Sequence, residues 1–567
     1  MTDINGAAGT AAGTAAGTAA GTAAGRSAGS VQASEQNVTT RTVQAGRDDS
    51  GQELAADMSF VARGGTLNLV GAVVSGTFTF AFYVLLARGL SPDDVGTFMV
   101  ATAVSMMVAT SLQLGAQVGF VRFIPRFQVL ERGDDIRPLM VIGLIPVLVF
   151  GILAAWLMYS QAGWLAALVS HGESKALVRQ DLQAFAFFVP AISLLTVVVG
   201  ATQGFATMRP SVIVDKIGRT GLQVLGGSLA VLFGGSLAFV AAWGLPYVLG
   251  VLVGGWWLAK IVKKRTHGSS RASRRPHLQL AREFWAFSAP RGVASVFQVL
   301  VMWLDTVLIA VLGTTAQAGI YAVAMRYLVV GTLAITALLQ VLGPKLSELM
   351  ARRDISTLRG VYQGSVAWLM LIVWPLYLII ALGNHTLLSL FGHRYVIAGP
   401  ALVIVALTML IGTACGPVDI VLLMAGHSWY SVANWILALV TMVALDLWLI
   451  PKYGLTGAAI GWSASIVVRN LAAVIEVYAI LKLHPFGVAF RRTALISLFS
   501  CGAMAGGVRF LLGHGVLSLI LTAAVGFGVQ IALLIRFREL LRLDVFATAL
   551  RAAAAGRRLR RQGAAPV

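Results

Sequence analysis

PLMVIGLIPVLVFGILAAWLM, residues 138–158, is a run of 21 positions without one charged side chain. A helix of about 20 such residues crosses the roughly 30 Å hydrocarbon core of a bilayer. Working outward from it, comparable runs fall at 66–87, 95–121, 183–207, 212–234 and 237–261. Others follow at 286–311, 317–342, 362–383, 397–424, 429–450, 455–481, 493–512 and 516–535. Together they predict about 14 transmembrane helices, two pairs of which are divided only by short breaks at Gly234-Gly235 and at Gly426. Composition agrees. Of 567 residues, 57% are hydrophobic and 12% charged, against about 25% charged in soluble domains, and mean hydropathy is +0.82. A soluble enzyme and a disordered chain are both excluded. The expected fold class is an all-α integral membrane protein.

The formal net charge is +20, which by itself would also suit nucleic acid, but its placement argues for orientation in a membrane. With the N-terminus inside, basic residues collect in the cytoplasmic connectors and their flanks, as at Arg126, Arg132 and Arg137, or at Arg209, Lys216 and Arg219. The outer connectors, such as 313–316, are nearly uncharged, which is the usual asymmetry. Residues 260–291 carry nine basic side chains against one acid, and 536–567 carry eight against two, so these stretches hold +14 of the +20. Both fall inside under an even span count, beside anionic lipid. No nucleic-acid partner is expected, because no loop is long enough to fold as a separate domain.

The expected divisions follow. Residues 1–57, built on Ala-Ala-Gly-Thr repeats, lack the apolar content for a core and read as a disordered cytoplasmic tail. Residues 58–261 form a first lobe of six helices, 262–285 a basic cytoplasmic connector, and 286–482 a second lobe. Two extra helices lie within 483–540, and 541–567 is a basic cytoplasmic tail. Cys415 and Cys501 stand in apolar runs with no metal-ligand spacing, and no nucleotide loop or nucleophile motif appears in a supporting context. No cofactor, metal or catalytic residue is expected.

Two stretches align without a gap at an offset of 223 residues: Leu85-Leu86-Ala87 with Leu308-Ile309-Ala310, and Gly96, Phe98, Val100 and Ala101 with Gly319, Tyr321, Val323 and Ala324. Chance similarity between apolar helices and duplication of a six-helix lobe both fit. Under duplication, an even number of spans per copy keeps both copies in one orientation, related by an axis along the membrane normal.

LLARGLSPDDVGTFMVA (85–101), GFVRFIP (119–125), LDTVLIAVLGTTAQAGIYAVA (304–324), LLMAGHSWY (422–430) and LIPKYGLTGAAIGWSAS (449–465) resemble, in order and spacing, Wzx-type polysaccharide flippases of the MOP superfamily. That superfamily also holds the lipid II flippases and the MATE drug exporters. The resemblance covers roughly 60–540. It implies a V-shaped fold of two pseudo-symmetric six-helix lobes plus two C-terminal helices. It implies flipping of an undecaprenyl-diphosphate-linked oligosaccharide across the bacterial inner membrane, for exopolysaccharide, O-antigen or capsule. Membrane lipids surround such a protein, and the polymerase and glycosyltransferases of the same pathway are its implied partners.

A diphosphate crossing hydrocarbon needs cations, and arginine suits it because its planar fork stays charged and donates two bonds at once. A charge at mid-membrane costs about 2.5–3.5 kcal/mol, so the few present narrow the search. Asp305 and Arg326 lie at similar depth in adjacent spans, which predicts a pair; a structural ion pair and a substrate or gating role both fit. Arg469 stands in mid-span with Glu476 two turns away on the same face, too far for direct pairing unless another helix supplies a side chain between them. Arg122 and Arg291 sit toward cytoplasmic helix ends; snorkelling to the interface and a role in the cavity both fit. Arg122, Arg291, Arg326 and Arg469 are the candidate holders of the diphosphate-sugar head, with Asp305 and Glu476 completing the candidate cavity. Asp419 and Asp446 are lone acids with structural or ion-coupling roles open. Amides in spans, among them Asn68, Gln298 and Asn434, suit either glycan hydroxyls or helix-to-helix bonds. A MATE-like multidrug or cation antiporter would need an acid-dominated cavity, and a membrane polysaccharide polymerase or ligase a sizeable outer loop; the sequence offers neither.

Overall fold

Hydrocarbon offers no partner to a peptide N–H or C=O, so a chain this apolar is forced into helices, and every regular element among the described residues is helical. The computed structural model describes residues 68–130, 132–170, 174–266, 276–329, 331–332, 335, 346, 349–350, 352, 354–425 and 427–537. The expected tails 1–57 and 541–567, the centre of the basic connector and most of 330–353 lie outside the described residues.

In chain order the helices used below are α1 (Asn68–Gly89), α2 (Pro92–Leu112), α3 (Ala116–Val129), α4 (Ile136–Ser160), α5 (Ser174–Ala186), α6 (Val189–Gly204), α7 (Thr220–Phe233), α8 (Ser236–Thr266), α9 (His277–Leu312) and α10 (Thr315–Ala324). They continue with α11 (Ile355–Leu382), α12 (Gly399–Cys415), α13 (Val418–Met424), α14 (Ser428–Tyr453) and α15 (Leu455–Leu481), then α16 (Val488–Leu512) and α17 (Val516–Arg536). The opening stretch shows why such helices are apolar all round. In α4, Val141, Ile145, Val149, Ile152 and Trp156 line one exposed face, while Leu139, Gly143, Val147 and Gly151 face neighbouring helices. The exposed face meets lipid, not water.

Among the described residues 11 helical segments are long and apolar enough to span, or 12 if a bent pair counts as one. The three remaining runs of the predicted 14 depart for physical reasons. Run 183–207 is the bent pair α5–α6, turned by 41°. Pro190 causes the break: a proline ring collides with the carbonyl four residues back, and Ala186 is where α5 ends. Run 212–234 begins as a π-helix, Ser211–Arg219, holding Asp215, Lys216 and Arg219, and only then becomes α7. Run 317–342 starts as α10, tightens to a 3-10 turn over Met325–Leu328, and its later part lies outside the described residues.

The repeat seen in the sequence is a contact in the structure. A Cβ built on Gly96 of α2 would lie 1.9 Å from the Thr315 carbonyl oxygen. One built on Gly319 of α10 would lie 2.6 Å from the Gly96 nitrogen and 3.0 Å from the Pro92 carbonyl oxygen. Gly319 is the repeat partner of Gly96, and Thr315 that of Pro92. A patch meeting its own copy reciprocally is the mark of a two-fold axis. Beside it Phe80 packs edge-on to Tyr327 and Phe391 at 5.2 Å each, and Arg88 Nε donates to the Leu390 carbonyl at 2.9 Å. Arg88 is thus a tie between α1 and the segment after α11.

The two extra helices dock on α11. Arg509 of α16, buried, donates to the carbonyls of Leu382 (3.3 Å) and Gly515 (3.1 Å) and to the hydroxyls of Thr386 (2.6 Å) and Ser518 (3.2 Å). Gln530 of α17 donates to the Leu371 carbonyl at 2.8 Å. Unpairing buried groups costs about 1–3 kcal/mol each. Arg509→Leu is therefore expected to lower the melting temperature in detergent and to expose the Leu382–Thr386 turn to hydrogen exchange. Unchanged exchange there would refute the clamp.

Candidate functional site

The strongest cationic feature lies where α3 meets α9. These helices touch through small residues: Gly115, at φ +73°, is so close that a Cβ there would lie 2.1 Å from the Ser288 carbonyl oxygen. Two turns further along α3, the Arg122 guanidinium lies 4.1 Å from the centre of the Phe287 ring, and Arg291 of α9 lies 5.1 Å from the same ring. Two arginines from the two halves of the sequence thus share one aromatic face-holder. Neither makes an ion pair with a described residue. Arg126, one turn on, is instead paired with Glu283 at 2.9 Å. Cation–π contact is worth about 0.5–2 kcal/mol and leaves the N–H donors of the fork open.

Arg326 and Asp305 do not form the expected ion pair. The 3-10 turn after α10 swings Arg326 between the rings of Tyr83 (4.6 Å) and Trp303 (5.0 Å), its Nε donating to the Ala322 carbonyl at 3.0 Å. Asp305, buried, accepts from its neighbour Thr306, at 2.7 Å from the N–H and 3.3 Å from the hydroxyl. Asp305 remains within electrostatic range of Arg326 and of Asp446 of α14, and Tyr321 lies within range of both carboxylates. Asp446 is fully buried, and neither of its carboxylate oxygens has a hydrogen-bond partner among the described residues.

Arg469 and Glu476 are each held by another helix. Arg469 Nη1 meets Asp419 of α13 at 2.6 Å, and its guanidinium lies 4.2 Å from the Trp435 ring centre. Glu476 accepts from Asn434 of α14 at 2.7 Å. The Arg469–Asp419 pair borders a cavity of about 360 Å³. The cavity sits at the break between α12 and α13, where Gly416 takes φ +73° and Pro417 follows. The Cys415 carbonyl freed there accepts from the Tyr362 hydroxyl at 2.9 Å. Broken helix at membrane depth is tolerated only where it is buried in protein or lines a cavity.

Of the six predicted site residues, the structure thus unites Arg122 with Arg291, leaves Arg326 near Asp305 without pairing them, and sets Arg469 and Glu476 apart with separate partners. Two cations on the flank of a connector are held by neighbouring side chains inside the helices. Lys216 donates to the Asn68 side-chain carbonyl at 2.6 Å. Arg219 is clasped by Asp215 (2.8 Å), Gln223 (3.2 Å) and the Tyr247 hydroxyl (3.3 Å). The Asp215, Arg219, Gln223 spacing of four residues was the available signal, since it places all three on one helix face.

A family profile described as polysaccharide biosynthesis protein matches residues 61–350. No curated protein matches the chain. Among solved structures, the lipid II flippase MurJ in an inward closed conformation is similar at TM-score 0.65 and 14% identity, over 83% of this chain and 99% of that one. An inward-facing multidrug-resistance MATE transporter is similar at TM-score 0.61 and 15% identity, over 76% and 99%. A MOP-superfamily transporter from Pyrococcus furiosus is similar at TM-score 0.56 and 14% identity, over 75% and 95%. At such identities the likeness establishes the fold. The chain is a multi-pass membrane protein with the MOP-transporter fold, and it belongs to the polysaccharide biosynthesis protein family.

Proposed function

We propose that this protein flips undecaprenyl-diphosphate-linked oligosaccharides from the inner to the outer leaflet of the bacterial inner membrane, supplying surface polysaccharide assembly. The observation that carries the reading is the Arg122–Phe287–Arg291 stack: two guanidinium groups, one from each half, with no acid partner among the described residues. An anion with two phosphates suits two such forks. The halves 58–261 and 286–482 rock about the Gly96–Gly319 contact, joined by the connector 262–285. The helices within 483–540 shelter the polyprenyl tail, and both termini, with the tails 1–57 and 541–567, lie in the cytoplasm. The product is handed to the polymerase, and the substrate arrives from glycosyltransferases of the same pathway. The family match supports this reading over a drug antiporter.

The test is leaflet exchange in proteoliposomes of a fluorescent undecaprenyl-diphosphate saccharide, read by bleaching with dithionite outside. Exchange faster than in protein-free vesicles is expected; equal rates would refute the reading. Asp446 supplies a coupling device. A buried carboxylate with no hydrogen-bond partner among the described residues is costly unless a proton or a cation offsets its charge. Asp446→Asn is expected to make exchange insensitive to an imposed pH or cation gradient, while the gradient accelerates the unaltered protein.

A further inference from the structure

We propose that the cavity at the α12–α13 break is a glycosyl subsite, holding a neutral sugar ring of the transported glycan; this rests on the reading above. The cavity's volume of about 360 Å³ is at the small end for ligand pockets, which run about 300–1,000 Å³. That suits a ring or two and not an isoprenoid chain. Its wall combines two indoles, Trp435 and Trp462, with Arg469, Asp419, Asn470 and Gln298. A sugar has an apolar C–H face that packs on aromatic surface and an edge of hydroxyls that both donate and accept.

The polar groups match that edge. Arg469 meets Asp419 through one terminal nitrogen, so its fork is only partly used. Nη2 makes a long contact, 3.4 Å, to the Asn470 side-chain oxygen. A spare donor stands beside an acceptor carboxylate, the arrangement that a hydroxyl or a vicinal pair of hydroxyls satisfies on both counts. Charge separates this pocket from the arginine stack at α3 and α9. Here the guanidinium is balanced by Asp419 at 2.6 Å, and that carboxylate would repel a phosphate. Arg122 and Arg291 have no such partner among the described residues. Arg469 is therefore assigned to the sugar, and the diphosphate to the other two arginines. The helix break explains why the pocket exists here. Gly416 and Pro417 interrupt α12 at its edge, and interrupted helices are where membrane carriers place their ligands.

The test uses the full-length protein in lipid nanodiscs and two probes. One is free oligosaccharide released by mild acid from the lipid fraction of cells lacking this protein, read by saturation-transfer NMR. The other is undecaprenyl diphosphate without sugar. Asp419→Asn combined with Arg469→Gln keeps the pocket neutral and close to its size, and Gln298→Ala is a second, milder variant at an exposed position. The expected result is saccharide binding by the unaltered protein, about tenfold weaker in the double variant and measurably weaker in Gln298→Ala. Undecaprenyl diphosphate binding should stay unchanged in both. Saccharide binding absent from the unaltered protein, or undiminished in the double variant, overturns the subsite. Loss of undecaprenyl diphosphate binding alone, with saccharide binding intact, would instead overturn the flippase reading and leave the pocket standing.

Discussion

Gly96→Val is expected to abolish the proposed glycan export, and Gly319→Val to do the same, while both proteins still insert and fold. Each glycine is where one half's backbone rests on the other's: a Cβ at position 96 would lie 1.9 Å from a carbonyl oxygen, and one at 319 would lie 2.6 Å from a backbone nitrogen. Backbone cannot rotate away as a side-chain tip can, so the closed contact must separate. Overpacking of a well-packed contact costs about 1–3 kcal/mol, occasionally more. At 3 kcal/mol the balance between closed and open at this end shifts roughly 150-fold. A carrier that works by alternating access then stays open on one side. The checks are complementation of export in cells lacking the protein and spin-label distances between the 90–91 and 313–314 turns. The distance should lengthen in both variants. Export at the unaltered rate in Gly96→Val would show that the two halves never need this closure. Gly96→Ala already brings the Cβ and is expected to give a partial defect.

The second large effect is expected at the arginine stack. Arg122→Gln and Arg291→Gln each remove one fork, and a hydrogen bond to a charged group contributes about 1.5–3 kcal/mol. Each single variant is expected to weaken undecaprenyl diphosphate binding by roughly ten- to hundredfold, at about 1.4 kcal/mol per tenfold. The double variant is expected to lose flipping altogether. Arg→Lys at either position restores charge without the planar fork and should recover binding only in part. Because neither arginine pairs with a described acid, their removal leaves no carboxylate stranded, so folding should be little affected; thermal stability of the purified variants checks this. Full flipping by the double variant would remove the diphosphate assignment.

The fold was legible because a bilayer imposes one simple demand. Twenty or so apolar residues in a row, as in 138–158, have no other stable solution, and eleven of the predicted runs stand as such helices. The three that depart carry local chemistry that run length ignores: Pro190 at a bend, charges inside Ser211–Arg219, and a tightened turn after α10. The repeat was visible as the Gly96–Gly319 offset, yet its meaning as a contact was not, because sequence distance says nothing about which copies touch.

The site was legible in its residue types and opaque in its pairings. Counting charges in spans brought up Arg122, Arg291, Arg326 and Arg469. Equal depth suggested that Arg326 meets Asp305, but depth fixes one coordinate of three. A turn of the backbone at Met325–Leu328 aims Arg326 at Tyr83 and Trp303 instead. Arg469 and Asp419 are 50 residues apart, and Arg122 shares the Phe287 ring with Arg291 only because α3 and α9 approach through glycines. Hydropathy and loop charge by themselves therefore determined that this chain crosses a membrane many times, since each span is decided locally by transfer out of water. Tertiary packing alone decided which arginines stay unpaired and which are neutralised, since that depends on the side chains that helices distant in sequence bring within a few ångströms.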